Sequence, residues 1–219
     1  RGRLNSAKML ATVVKNLLAP APEGPGQQEG GGENRRVVLF LSHAAFWKER
    51  AAAGGEEGPS EYEHYFDRLI PGVAGDPGLR PFVLAVGPRA AFRRRRLLDR
   101  LGDWFRVSRE NGPYVHVNRL MRLAVFRRVL AATREIRRAW RRLRRSPGVR
   151  EAFAHRGVNF ADMSAADLAG TMLLQLPWAV RSREEMAAAL ETVSPAVLCL
   201  YAETSGWGRA ALAAARAAG

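Results

Sequence analysis

Residues 37–41 read Val37-Val38-Leu39-Phe40-Leu41, an unbroken apolar run that starts directly after Arg35-Arg36. A run of this length with no polar alternation fits a strand buried on both faces, and such strands belong to parallel sheets covered by helices. Ser42, His43 and Ala44 follow it. Two further stretches have the same character: Phe82 to Val86, ended by Gly87-Pro88, and Ala196 to Tyr201. They predict neighbouring parallel strands in one α/β, Rossmann-like sheet with helices on both faces.

The segments between these strands read mostly as helix. Tyr62, Tyr65, Phe66 and Leu69 share one helical face of a predicted helix from Glu61 to Ile70. A second helix is expected from Arg89 to Leu101, carrying the run Arg93 to Arg96. Tyr114 to Val117 reads as a short strand. From Arg119 to Arg145, Leu123, Phe126, Leu130, Thr133, Ile136, Trp140 and Leu143 recur at three- and four-residue steps, which predicts one long amphipathic helix. Pro147 starts a shorter helix to about His155, Ala165 to Val193 is helical with a break at Pro177, and Arg209 to Ala218 is an Ala-rich helix.

Upstream, Leu4, Ala7, Ala11, Val14 and Leu18 form the apolar stripe of an amphipathic helix over residues 1–18, with Lys8 and Lys15 on its polar side. Residues 19–36 begin with a Pro/Gly/Glu-rich tract that cannot bury enough apolar surface to offset its ordering entropy, and read as a flexible linker. Residues 37–219 then form the Rossmann-like domain. Its alternating pattern calls for another strand after the last helix, so a second domain is expected beyond Gly219.

The chain has 219 residues and a formal net charge of +14, with 35 basic against 21 acidic residues. All the basic residues except Lys8, Lys15 and Lys48 are arginine, a bias that GC-rich coding also produces. Such a charge favours anionic partners: phosphates, nucleic acid or an anionic membrane surface. The one cysteine, Cys199, excludes an intramolecular disulfide framework and a multi-cysteine zinc cluster, and within a strand it reads as a small core residue. No apolar run is long enough to span a bilayer and no secretory leader is visible, so a cytoplasmic location is expected.

Candidate site residues follow from position. His43 stands just past the carboxyl end of the first strand, where open parallel sheets bind ligands. Glu203, Thr204 and Ser205 hold the equivalent place after the last strand, and Gly206 and Gly208 would let backbone approach a ligand. The competing reading is a capped turn, with Ser205 or Thr204 as N-cap of the final helix. No G-x-G-x-x-G, P-loop or G-x-S-x-G pattern is present, and His43, His64, His116 and His155 lack metal-ligand spacing, so neither a cofactor nor a metal is called for. Arg127, Arg134, Arg138, Arg141 and Arg145 lie along one side of the long helix, a stripe suited to an anionic surface. Trp140 falls on the opposite side, so the base-stacking aromatics expected beside a nucleic-acid-binding stripe are missing.

Three segments together, VVLFLSHAAFWKE, EYEHYFDRLIPGV with PFVLAVGPRAAF, and LCLYAETSGWGRAALAAARAAG, resemble the amino-terminal half of bacterial GT-B-type glycosyltransferases of surface-polysaccharide biosynthesis. The resemblance covers Val37 to Gly219, with an enlarged helical middle. It implies an acceptor-side domain that works with a carboxyl-terminal domain holding the nucleotide-sugar donor, and a glycan or lipid-linked acceptor. It further implies that His43 and Glu203 are catalytic and that Ser42, Ser205, Gly206, Trp207 and Gly208 contact the acceptor. The enzyme would work at the inner face of the membrane as a peripheral protein. The long arginine helix and the missing Gly-rich loop after the first strand depart from the family pattern. Two other classes fit the same residues: a non-enzymatic Rossmann-like binding module and a basic nucleic-acid-binding α/β protein.

Overall fold

The computed structural model describes residues 2–18, 35–50, 60–87 and 114–218. At its centre lies a four-stranded, wholly parallel sheet, ordered β5-β4-β1-β8. These are β1 (Arg36–His43), β4 (Leu79–Val86), β5 (Val115–His116) and β8 (Val197–Leu200). The three long apolar runs are thus neighbours with β1 in the middle, as their composition requires: Leu39 lies opposite Phe82 on one side and Leu198 on the other.

Alternate side chains of β1 serve two cores, because successive strand residues point to opposite faces. Val37, Leu39 and Leu41 join Leu84, Val86, Met186, Ala189, Leu190, Val193 and the alanines 210, 211 and 214. The helices covering that face are α6 (Leu176–Val193) and α7 (Gly206–Ala218). Val38 and Phe40 turn the other way, onto Phe66 and Val83, with Ile70 and Val73 of α2 (Leu69–Gly75) above them. Around β1 and β4 the sheet is therefore covered on both faces, the condition under which strands without polar alternation are stable. Strand β8, expected to be equally buried, is instead an edge strand with Val197 exposed and Leu198 to Leu200 half-buried.

The helix expected over Glu61 to Ile70 is a correction. Trp47–Arg50 (β2) and Ser60–Glu63 (β3) pair as an antiparallel hairpin, a turn spans 64–68, and α2 begins only at Leu69. The Glu63 carboxylate accepts the amides of Tyr65 and Phe66, and this local bonding turns the chain instead of extending a helix upstream. Further along, α3 (Leu123–Leu143) follows a short 3-10 turn at Val117–Leu120. Next come α4 (Pro147–Ala152), a tight hairpin of β6 (Ala154–His155) and β7 (Val158–Asn159), and α5 (Ala161–Gly170). The break expected at Pro177 takes the form of a π turn over Thr171–Gln175, in which the Leu176 amide reaches back to Thr171 O.

The amino-terminal helix α1 (Gly2–Leu18) buries a different face from the one the apolar spacing suggested. Met9, Thr12 and Val13 are buried while Ala11 and Val14 are exposed. Met9 and Val13 pack on Met121, Val125 and Val129 and on Ala188 of α6, and the Asn16 amide donates to the carbonyls of Asn118 and Met121. Of the linker expected at 19–36, residues 19–34 lie outside the described residues, as does the helix at 89–101, and Arg36 is a correction, since it already pairs as the first residue of β1.

Candidate functional site

In the order β5-β4-β1-β8 the chain leaves β1 for β4 on one side and reaches β8 on the other. The crevice where ligands sit in open α/β sheets is therefore expected at the carboxyl ends of β1 and β8. His43 ends β1, Gly87 follows β4, His116 ends β5 and Tyr201 follows β8.

His43 is half-buried, and its Nδ1 accepts the amide of Ala45 at 3.1 Å, capping the 3-10 turn Ala44–Phe46. With Nδ1 so used, the neutral ring carries its proton on Nε2. Burial holds the imidazole below its usual pKa, so it is neutral at pH 7 and offers a hydrogen-bond donor, not a general base. The ring rests against Gly87, where φ is +76° and an added Cβ would overlap it.

His116 is fixed more completely. Its Nδ1 accepts from the Asn118 amide at 3.2 Å and its Nε2 donates to Gly87 O at 2.8 Å. Burial first, then the positive charge of Arg181 and the neighbouring His43, hold its pKa down against the effect of the Gly87 carbonyl. Arg181 in turn binds Glu185 at 2.7 Å and reaches Asn118 Oδ1 at 3.4 Å.

Around His43 lies an aromatic cluster. Phe46 contacts the His43 ring at 5.4 Å between centroids and packs edge-on against Tyr65 at 4.8 Å and Tyr201 at 4.9 Å. Tyr65 and Tyr201 stack at 5.6 Å with 18° between their planes. Tyr65 is 55% exposed, so this platform opens to solvent. The Tyr201 phenol is pushed above its usual pKa chiefly by burial, with a hydrogen bond to Ser205 acting against it. It stays a neutral hydroxyl at physiological pH.

Ser42, expected to contact the acceptor, is fully buried, and its hydroxyl donates to Glu63 Oε1 at 2.8 Å. No link joins it to His43 Nδ1, which takes the Ala45 amide, so the trio Ser42, His43 and Glu63 does not form a nucleophile relay. Ser205 is the N-cap of α7: its Oγ accepts the Gly208 amide at 2.9 Å and donates to Ala202 O at 2.8 Å. The space freed by Gly206 is occupied by the Trp178 ring, and that freed by Gly208 by the Ala202 carbonyl. Both glycines thus serve chain packing. Trp207 meets Trp178 edge-to-face at 5.7 Å and packs on the core. Glu203 lies exposed in the turn leaving β8, at the same sheet edge as His43. Among the described residues, no group of three or more His, Cys, Asp or Glu could hold a metal ion.

Phe46, Tyr65, Gly87, His116 and Tyr201 were not singled out from the sequence. Gly87 and Tyr201 alone carry a usable signal, each being the first residue past an apolar strand next to β1. Arg127, Arg134, Arg138, Arg141 and Arg145 are all exposed on or just beyond α3. No helix among the described residues is long and apolar enough to cross a membrane. No family model, no curated protein and no solved structure matches the chain.

Proposed function

We propose that residues 37–219 are the acceptor-side half of a GT-B-type glycosyltransferase that moves a sugar from a nucleotide-sugar to a surface glycan or lipid-linked acceptor. The observation that carries this reading is the sheet edge between β1 and β8, where His43 and the rings of Phe46, Tyr65 and Tyr201 meet at a topological switch point. Aromatic faces with a few fixed polar groups suit a semi-polar ring such as a sugar. In that role Nε2–H of His43 donates to a sugar oxygen, and Glu203, an exposed carboxylate at the same edge, is the group suited to take the acceptor's proton. The donor nucleotide is assigned to a second domain, and this half is read as holding the acceptor. The arginine stripe on α3 would hold the enzyme against an anionic inner membrane face.

The test has two arms. Titration calorimetry on this chain should show saturable binding of oligosaccharide acceptors, abolished in Tyr201→Ala, and no specific binding of nucleotide-sugars. In the full-length gene product, His43→Ala and Glu203→Gln should each lower kcat at least tenfold with the fold intact by circular dichroism. Micromolar nucleotide-sugar binding to this chain, or unchanged turnover in both variants, would overturn the proposal.

A further inference from the structure

On the outer side of α6, away from the sheet, a cavity of about 380 Å³ lies between α1, α3, the π turn and α6. That volume is in the range of small-ligand sites. Met9, Val129, Leu130, Leu173 and Trp178 supply apolar wall, and Arg137 lies at one end of the α3 side. No carboxylate is among its described lining residues.

The cavity has a local cause. Helices α3 and α6 run antiparallel, tied by Arg122 to Thr192 and by Arg128 to Glu184. Going on toward Arg137, the α6 side arrives at Pro177, which has no amide to give Leu173 O, the carbonyl four residues before it. The chain accommodates this by widening to the π turn, and Leu173, Leu174 and Gln175 line the cavity from that turn. Single π turns inside helices are frequent at functional sites. Leu174 and Trp178 are left 49% and 44% exposed. Exposed large apolar residues gathered at a cavity mark a binding surface more often than a solvated one.

Its shape and charge select the occupant. From Phe126 to Arg137 the α3 wall runs about 16 Å at 1.5 Å per residue, the length of an extended alkyl chain of a dozen or so carbons. A helix, about 10 Å wide with its side chains, does not fit a slot between two helices already in contact. Arg137 is half-buried at the end of this wall, and exposed Arg134, Arg138 and Arg141 surround it on α3. Arg181, the other arginine of the lining, is already bound to Glu185. We infer that the groove between α3 and α6 binds a single-chain anionic lipid, its alkyl chain along Leu130, Leu173 and Trp178 and its head group on Arg137. This does not depend on the reading of the sheet edge, and its test uses no sugar.

The probe is dodecyl phosphate below its micelle concentration, titrated into the chain by calorimetry and by Trp fluorescence, with dodecan-1-ol and inorganic phosphate as controls. Dodecyl phosphate should bind saturably and at least tenfold more tightly than dodecan-1-ol, and inorganic phosphate should not bind. Arg137→Gln should remove that tenfold preference and leave dodecan-1-ol unchanged. Leu130→Trp, which fills the groove, should abolish both; Gln175→Trp, at an exposed lining position, does the same should Leu130→Trp fail to fold. Inorganic phosphate binding as tightly as dodecyl phosphate would make the arginines alone the site. That result, equal affinity for the alcohol, or binding that persists in the folded groove-filling variant, would overturn the inference.

Discussion

The imidazole of His43 lies in the space that a side chain on Gly87 would occupy, so the last residue of β1 and the first residue after β4 are fitted to each other. Replacing Gly87 by Ala acts twice. At a φ of +76° any Cβ is strained, by about 1–2 kcal/mol, and here the methyl must also displace the ring. Gly87→Ala should therefore lower stability by at least about 1 kcal/mol in urea denaturation and shift the His43 ring resonances. Unchanged His43 chemical shifts would show that the contact is not kept in solution.

Histidine titration should set the acid limb of stability. The pKa values of His43 and His116 are both lowered in the folded chain, for each mainly by burial, from an ordinary value of 6.5. The unfolded chain then binds more protons than the folded one below that value. The stability these groups confer is complete above about pH 6.5 and is lost as pH falls through their folded pKa values, at up to about 1.4 kcal/mol per pH unit for each. Thermal unfolding from pH 7.5 to 5 should show falling Tm. His116→Gln, less stable at pH 7.5, should show a shallower fall, and equal slopes would mean that His116 charges as easily folded as unfolded.

Glu185 should act with the opposite sign. It is buried with Oε2 unpartnered among the described residues, and burial raises its pKa above the ordinary 4.5 despite the Arg181 contact. The folded chain takes up this proton first, so wild-type stability gains from Glu185 as pH falls through the raised value. Glu185→Gln, which keeps an acceptor for Arg181 without the buried charge, should be the more stable protein at pH 8. The two should converge as pH falls toward 4.5 in paired Tm measurements. A Gln variant less stable than wild type at every pH would show that the ion pair outweighs the cost of burying the charge.

The stripe Arg127, Arg134, Arg138, Arg141 and Arg145 should recruit the chain to anionic vesicles. Each arginine near such a surface contributes about 1 kcal/mol, fading within a Debye length. Co-sedimentation should be strong at low salt, weak at high salt, and near that of neutral vesicles when all five are changed to Gln. Equal binding of wild type and the five-Gln variant would leave the stripe a solvated helix face.

What could be read in advance followed from how far each signal extends along the chain. Val37 to Leu41 and Phe82 to Val86 declare themselves because burial on both faces leaves no polar residue in them, whereas Ala196 to Tyr201 carries the same apolar signal on an edge strand whose Val197 is exposed. Tyr62, Tyr65, Phe66 and Leu69 mimic a helical face, yet Glu63 takes the amides of Tyr65 and Phe66 and turns the chain at that point. In α1, Val14 fits the predicted stripe but is exposed, because the docking surface of α3 selects Met9 and Val13. At the sheet edge the place of His43 was legible from its strand. The roles of Ser42, His116 and Gly87 were not, since the bond from His116 to Gly87 spans 29 positions and that from Ser42 to Glu63 spans 21.

Strand β5 gives only two residues to the sheet, too short a ladder to hold an edge by backbone bonds alone. The His116 side chain supplies what the ladder lacks: both ring nitrogens are tied to backbone, one to the end of β4 and one to the turn that leads into α3. The imidazole is thus a rivet between sheet and helical layer. In hydrogen exchange, the amides of Val115 to Leu120 should exchange together, by a partial opening that leaves β1 and β4 paired.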